Sequence, residues 1–130
     1  MRIDDYLKKI GETAAGGATS DTLRRLHLAH RETFLFENVT IQKGGGISLV
    51  LGDIERKFLD EGCGGYCFEH NTLFAAALRD LGFDVTTLLA RVRVGPPERW
   101  VRTHMVLRVG IDGTPWLADV GFGGFGLLEP

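Results

Sequence analysis

Leu78-Arg79-Asp80-Leu81-Gly82-Phe83-Asp84-Val85-Thr86-Thr87-Leu88-Leu89-Ala90-Arg91-Val92-Arg93-Val94 holds two hydrophobic rhythms in one run. Up to Gly82 the apolar positions Phe74, Ala77, Leu78 and Leu81 follow the i, i+3, i+4, i+7 spacing of a buried helix face. From Val85 to Val94 the residues become β-branched and alternating, the signature of a strand. Gly82 closes the helix and marks the change. The chain therefore divides there, with helices in residues 1–83 and strands in residues 84–130, an α+β class.

Working back from Gly82, three more helices are expected. Ile3, Leu7 and Ile10 share one face, with Asp4 and Asp5 in a first turn where carboxylates suit the dipole. Leu23, Leu26 and His30 mark a helix opened by Ser20 or Asp21 and fading near Thr33. After the Gly44-Gly45-Gly46 loop and an apolar run from Ile47 to Leu51, Asp53 opens a helix that buries Ile54 and Phe58 and stops at Gly62. Working forward, strands are expected at Val85–Val94, Arg102–Ile111 and Thr114–Val120. Gly95-Pro96-Pro97 breaks the first from the second, and Asp112-Gly113 is a strong two-residue hairpin signal between the second and third. The chain stops at Pro130 with open sheet edges, and the expectation is a truncated protein or natural fragment that self-associates through such an edge.

The 130 residues, 44% hydrophobic and 25% charged with a formal net charge of −2, describe an ordinary globular sequence. Interspersed charges leave no basic stripe for nucleic acid, and no apolar run is long enough for a membrane span or signal peptide. A cytoplasmic location is expected. Glycine, at 18 residues, is about twice as frequent as the usual ~7%, which marks places where backbone must come close to something.

Only two cysteines occur, Cys63 and Cys67, too close together for a disulfide between them to staple anything. Cys67 stands at the mouth of a helix behind Gly64 and Gly65. Helix-terminal amides stabilise a thiolate, and glycines let a substrate approach the backbone. The bland alternative is a buried structural thiol. A nucleophilic thiol is served by a base, and a base by an orienting group. His27 and His30 lie in the second helix and read as core or surface polar residues, while His70, one turn after Cys67, makes a cramped partner. His104 sits in a strand, and the turn at Asp112-Gly113 makes paired positions sum to about 225, so that Asp119 faces Val106 and lies diagonal to His104 on one sheet face. That pair is equally readable as a structural cross-strand contact; the cysteine favours the catalytic reading.

The string GGYCFEHN, residues 64–71, followed by THMVL at 103–107, LADVGFGG at 117–124 and FENV at 36–39, resembles the landmark motifs of the arylamine N-acetyltransferase family in order and spacing. The gaps are 37 residues from Cys67 to His104 and 15 from His104 to Asp119. The resemblance implies a papain-like cysteine-enzyme arrangement: an N-terminal helical bundle supplying Cys67, an incomplete antiparallel β-barrel domain supplying His104 and Asp119, and no lid domain. It implies two-step transfer from acetyl-CoA through a Cys67 thioester to an arylamine, hydrazine or hydroxylamine, with no metal. His104 would hold the proton between the steps and Asp119 fix its tautomer. The Cys67 amide would serve the tetrahedral intermediate. Gly121, Phe122, Gly123 and Gly124 would lie near CoA, and Phe36, Phe122 and Phe125 would line the acceptor site. A chain without its lid would turn over slowly.

Two positions depart from the family pattern. Cys63 stands where Arg is usual, and Leu35 where Pro is usual. A guanidinium at position 63 would anchor the loop through several hydrogen bonds that a thiol cannot replace. Rival readings are another papain-like enzyme such as a protease or transglutaminase, an inactive relative, and a zinc module built on Cys63, Cys67, His70 and His104, whose C-x3-C-x2-H spacing is loose for zinc.

Overall fold

A computed structural model describes residues 1–124 and 126–130, and of Arg99 the backbone alone. Helix α1 spans Ile3–Ile10 and α2 Ser20–Thr33; a short exposed α3 spans Val39–Gln42, α4 spans Leu51–Glu55 and runs on as a π-helical turn Arg56–Asp60, and α5 spans Cys67–Asp80. Strands β1 (Asp84–Arg91), β2 (Arg102–Ile111) and β3 (Thr114–Ala118) form one antiparallel sheet in the order β1-β2-β3. The α+β class and the helix-to-strand change at Gly82 are as the sequence implies.

The helix ends show where local chemistry acted differently from expectation. α2 is capped by Thr19, whose hydroxyl accepts the amide of Thr22, so Ser20 and Asp21 fall in the first turn instead of at the cap. α4 starts at Leu51, two residues before the expected Asp53, whose carboxylate accepts the Ser48 hydroxyl at 2.6 Å. Gly11 takes φ 72° and closes α1 in the left-handed conformation.

β2 and β3 pair with Leu107 opposite Ala118 and Ile111 opposite Thr114, the register set by the turn. Asp112 and Gly113 both have positive φ, 49° and 77°, as a tight hairpin turn requires. β3 ends at Ala118 and not at Val120, because the next two amides leave the sheet: that of Asp119 donates to His27 and that of Val120 to Asn71. β1 ends at Arg91 rather than Val94, after a register shift at Ala90/Arg91.

One apolar core runs across the change from helix to strand. Tyr6, Leu23, Leu26, Phe58, Phe74 and Leu78 from the helices join Leu107, Val109 and Ala118 from the sheet, all essentially inaccessible to water. At roughly 25 cal/mol per Å² of apolar surface removed from water, this shared burial is what presses the sheet onto the helices. It also brings the start of α5 against β2 and the end of β3.

Candidate active site

Cys67 is the first residue of α5 and is 8% exposed. The loop before it is held by backbone: Phe36 and Gly65 form a parallel bridge, with the Gly65 amide donating to Leu35 O at 3.3 Å and the Glu37 amide to Gly65 O at 2.8 Å. Glu69 finishes the anchoring, accepting the Tyr66 amide at 3.0 Å on one carboxylate oxygen and Lys57 Nζ at 2.7 Å on the other. Cys63 is exposed; its amide donates to Lys57 O at 3.0 Å, and its thiol adds only a 3.9 Å contact with Glu61 O. Thus the loop that lacks an arginine at 63 is fastened by the strand-like bridge and by the Lys57–Glu69 ion pair.

The glycines before the cysteine serve packing instead of substrate approach. A Cβ on Gly64 would stand 1.7 Å from Leu35 O, and one on Gly65 would meet Glu69 Oε2 at 2.6 Å and Phe58 at 2.9 Å. Gly121 is constrained in the same way, its would-be Cβ being 2.8 Å from Cys67 Cα. The end of the sheet crosses the start of α5 there with room for hydrogen only.

His104 on β2 and Asp119 just beyond β3 meet at 2.6 Å, Nε2 to Oδ2. The carboxylate accepts, so Nε2 carries the proton and Nδ1 is the ring nitrogen that Asp119 leaves free. Burial opposes charge on the ring, but the hydrogen bonds to Asp119 and Cys67 outweigh it and push the imidazole up to about 9. Burial likewise raises Asp119, yet His104 and Asn71 hold its carboxyl below the ordinary range. The pair is therefore an imidazolium and a carboxylate at neutral pH. The Cys67 thiol also contacts Thr103 O at 3.9 Å.

Two residues outside the expected set complete the surroundings of Asp119. Asn71, fully buried one helical turn after Cys67, donates Nδ2 to Asp119 Oδ1 at 3.0 Å and to Met105 O at 2.8 Å, and accepts the Val120 amide at 3.2 Å. Its i+4 spacing from Cys67 was the available signal, since i and i+4 share a helix face. His27 accepts the Asp119 amide on Nε2 at 3.3 Å and so donates Nδ1–H to Leu128 O. Nothing local in the sequence links His27 to a residue 92 positions away.

A cleft of about 440 Å³ opens onto Cys67 and His104, walled by Phe36, Val92, Thr103, Phe122 and the Gly121, Gly123 and Gly124 backbone. Phe122 stands edge-on to His104 at 5.0 Å. A Cβ on Gly123 would strike the Phe36 ring at 2.7 Å, while Gly124, at φ 80°, has open space around it. Of the expected binding residues, Phe36, Gly121, Phe122, Gly123 and Gly124 all line this cleft; Phe125 lies outside the described residues. The four residues of the zinc reading do not converge: Cys63 is exposed, His70 has both ring nitrogens engaged by His30 and Leu35 O, and His104 is bound to Asp119.

The family model described as N-acetyltransferase matches residues 19–130. A relative from Escherichia coli K12, "Arylamine N-acetyltransferase", is 42% identical over 98% of this chain and 46% of its own length. The solved arylamine N-acetyltransferase of Salmonella typhimurium superposes with TM-score 0.94 at 42% identity, over 98% of this chain and 47% of that one. The Mycobacterium marinum arylamine N-acetyltransferase in complex with CoA superposes with TM-score 0.91 at 37% identity, over 98% of this chain and 49% of that one. The chain spans about half the length of the curated relatives it matches.

Proposed function

This chain belongs to the arylamine N-acetyltransferase family, and from that premise we propose that it takes an acetyl group from acetyl-CoA onto Cys67 Sγ and passes it to an arylamine, hydrazine or hydroxylamine nitrogen. The observation that carries this reading is the 2.6 Å His104–Asp119 pair, whose His104 lines the same cleft as Cys67. The thiolate is the nucleophilic form of a cysteine, and His104 is the group placed to hold its proton.

The thiolate attacks the thioester carbonyl carbon, and the oxygen charge that develops faces the first-turn amides of α5, which have no partner within the helix. The bond from carbon to the CoA sulfur breaks, and CoA leaves as a thiol with the proton of His104. The neutral imidazole then takes a proton from the attacking amine as the new C–N bond forms, Cys67 Sγ departs, and the ion pair is restored. Asp119 holds Nε2–H of the ring throughout, which leaves Nδ1 as the nitrogen that gains and loses the proton. Phe36 and Phe122 offer apolar faces to an aromatic acceptor, and Gly124 leaves open backbone for the donor. The reduced thiols fit a cytoplasmic setting, and no helix among the described residues is long and apolar enough to cross a membrane.

Intact mass measured after incubation with acetyl-CoA, followed by peptide mapping, tests the reading. One acetyl group on the Cys67 peptide, released on adding an arylamine and absent in Cys67→Ala, is the expected result. Acetylation confined to Cys63 or to lysines would defeat it.

A further inference from the structure

Three buried side chains that take no part in the acetyl transfer form a connected line. Tyr6 on α1, His30 on α2 and His70 on α5 are 0%, 0% and 1% exposed. Tyr6 Oη lies 2.9 Å from His30 Nδ1, His30 Nε2 lies 3.0 Å from His70 Nδ1, and His70 Nε2 lies 3.2 Å from Leu35 O.

The last bond fixes the others. A carbonyl oxygen only accepts, so His70 Nε2 carries a proton. In a neutral ring Nδ1 of His70 is then a lone pair, which obliges His30 Nε2–H to donate to it. His30 Nδ1 becomes an acceptor in turn, and the Tyr6 hydroxyl donates. With both rings neutral, no other assignment satisfies all three bonds. Burial keeps them neutral, lowering His70 to about 4 and His30 well below its ordinary value. The chain of donors runs in one direction, across three helices, and ends on the Leu35 carbonyl.

That carbonyl belongs to the segment bearing one wall of the cleft. The Leu35 side chain is 77% exposed and anchors nothing, so the segment beyond the buried Phe34 is held through its backbone, by His70, by the Gly65 amide and by the Glu37 amide on Gly65 O. Phe36, the next residue, stacks on the His70 ring at 6.3 Å with planes 12° apart, and its own ring abuts Gly123 across the cleft. The orientation of His70 thus sets both the backbone and the ring of that wall.

We infer that Tyr6, His30 and His70 form a one-way hydrogen-bond chain that positions the Phe36 wall of the Cys67 cleft, so that Tyr6 and His30 are positioning residues for an aromatic group entering it. The assignment of that aromatic group as the acetyl acceptor rests on the acetyl-transfer reading, and the test is independent of acetyl-CoA. Long-range proton–nitrogen correlation spectra of histidine-labelled protein should show His30 and His70 both as Nε2–H tautomers; an Nδ1–H ring at either position overturns the chain. Alkylation of Cys67 by N-phenyliodoacetamide relative to iodoacetamide reads the wall. Tyr6→Phe, which removes one hydroxyl and keeps the buried ring, should lower that rate ratio by about three-fold while the iodoacetamide rate stays within about two-fold. An unchanged ratio, or an equal fall in both rates, would overturn the positioning role. Failure of acetylation would leave both readouts measurable.

Discussion

The helical half and the sheet half each bury histidine, with opposite electrical outcomes. His30 and His70 face a phenol, each other and a carbonyl, and remain uncharged. His104, only slightly less buried at 6% exposed, faces a carboxylate and stays charged. His104 lines the cleft while His30 and His70 lie in the deep core, so both depth and partner act, and the carboxylate is what carries His104 above its ordinary value against the burial it has. A neutral partner with fixed donor direction makes histidine a spacer, and a carboxylate makes it a proton carrier.

The largest test of this contrast is the pH dependence of stability, where the two halves have opposite signs. His70 is lowered from 6.5 to about 4, so its contribution is complete above 6.5 and lost as pH falls toward 4. His104 is raised from 6.5 to about 9, so its contribution is complete below 6.5 and lost as pH rises toward 9. Urea midpoints should therefore peak near neutrality and decline on both sides, and a midpoint that stayed level down to pH 4.5 would contradict the neutral-histidine reading.

Next in size is His104→Ala, which should slow iodoacetamide labelling of Cys67 near neutral pH by about 100-fold. In the wild type Cys67 should label before the exposed Cys63. Labelling of Cys67 that is indifferent to His104 would reduce the pair with Asp119 to a cross-strand contact. Asn71→Ala should cost about 2 kcal/mol in denaturant unfolding, since it strands the Val120 amide in the core and leaves Asp119 Oδ1 with the Gly121 amide alone. The smallest effect belongs to the helical half: Thr19→Ala should cost about 1 kcal/mol and leave Cys67 labelling unaltered. A change in labelling there would show that α2 communicates with the cleft through its cap.

Much of this was legible before any coordinates. The face Phe74, Ala77, Leu78 and Leu81 marked α5, and Asp112-Gly113 fixed the hairpin register closely enough to bring His104 and Asp119 together. Those signals are local, resting on one period or one turn. What was not legible depends on contacts between distant segments. Gly64 and Gly65 admit Leu35 O and Glu69, and Gly121 admits Cys67, none of which a periodicity reveals. His27 looked like an ordinary helix residue because its partners, Asp119 and Leu128, lie about a hundred positions on. α3 went unread because Val39–Gln42 buries nothing and has no apolar rhythm.

The two-residue turn at Asp112-Gly113 also bears on the order of assembly. A hairpin closed by so short a loop forms on the order of microseconds, on its own sequence. The strands that carry His104 and lead to Asp119 can thus pair early, while Asp119 itself is fixed by His27 and Asn71 once the helices dock. Cys67, 37 positions before His104, meets them only when the hairpin docks on α5, a closure of far longer loop. During synthesis the thiol leaves the ribosome first and its base later. The three side chains are therefore brought together by the last long-range contact to form, and not by either half of the chain alone.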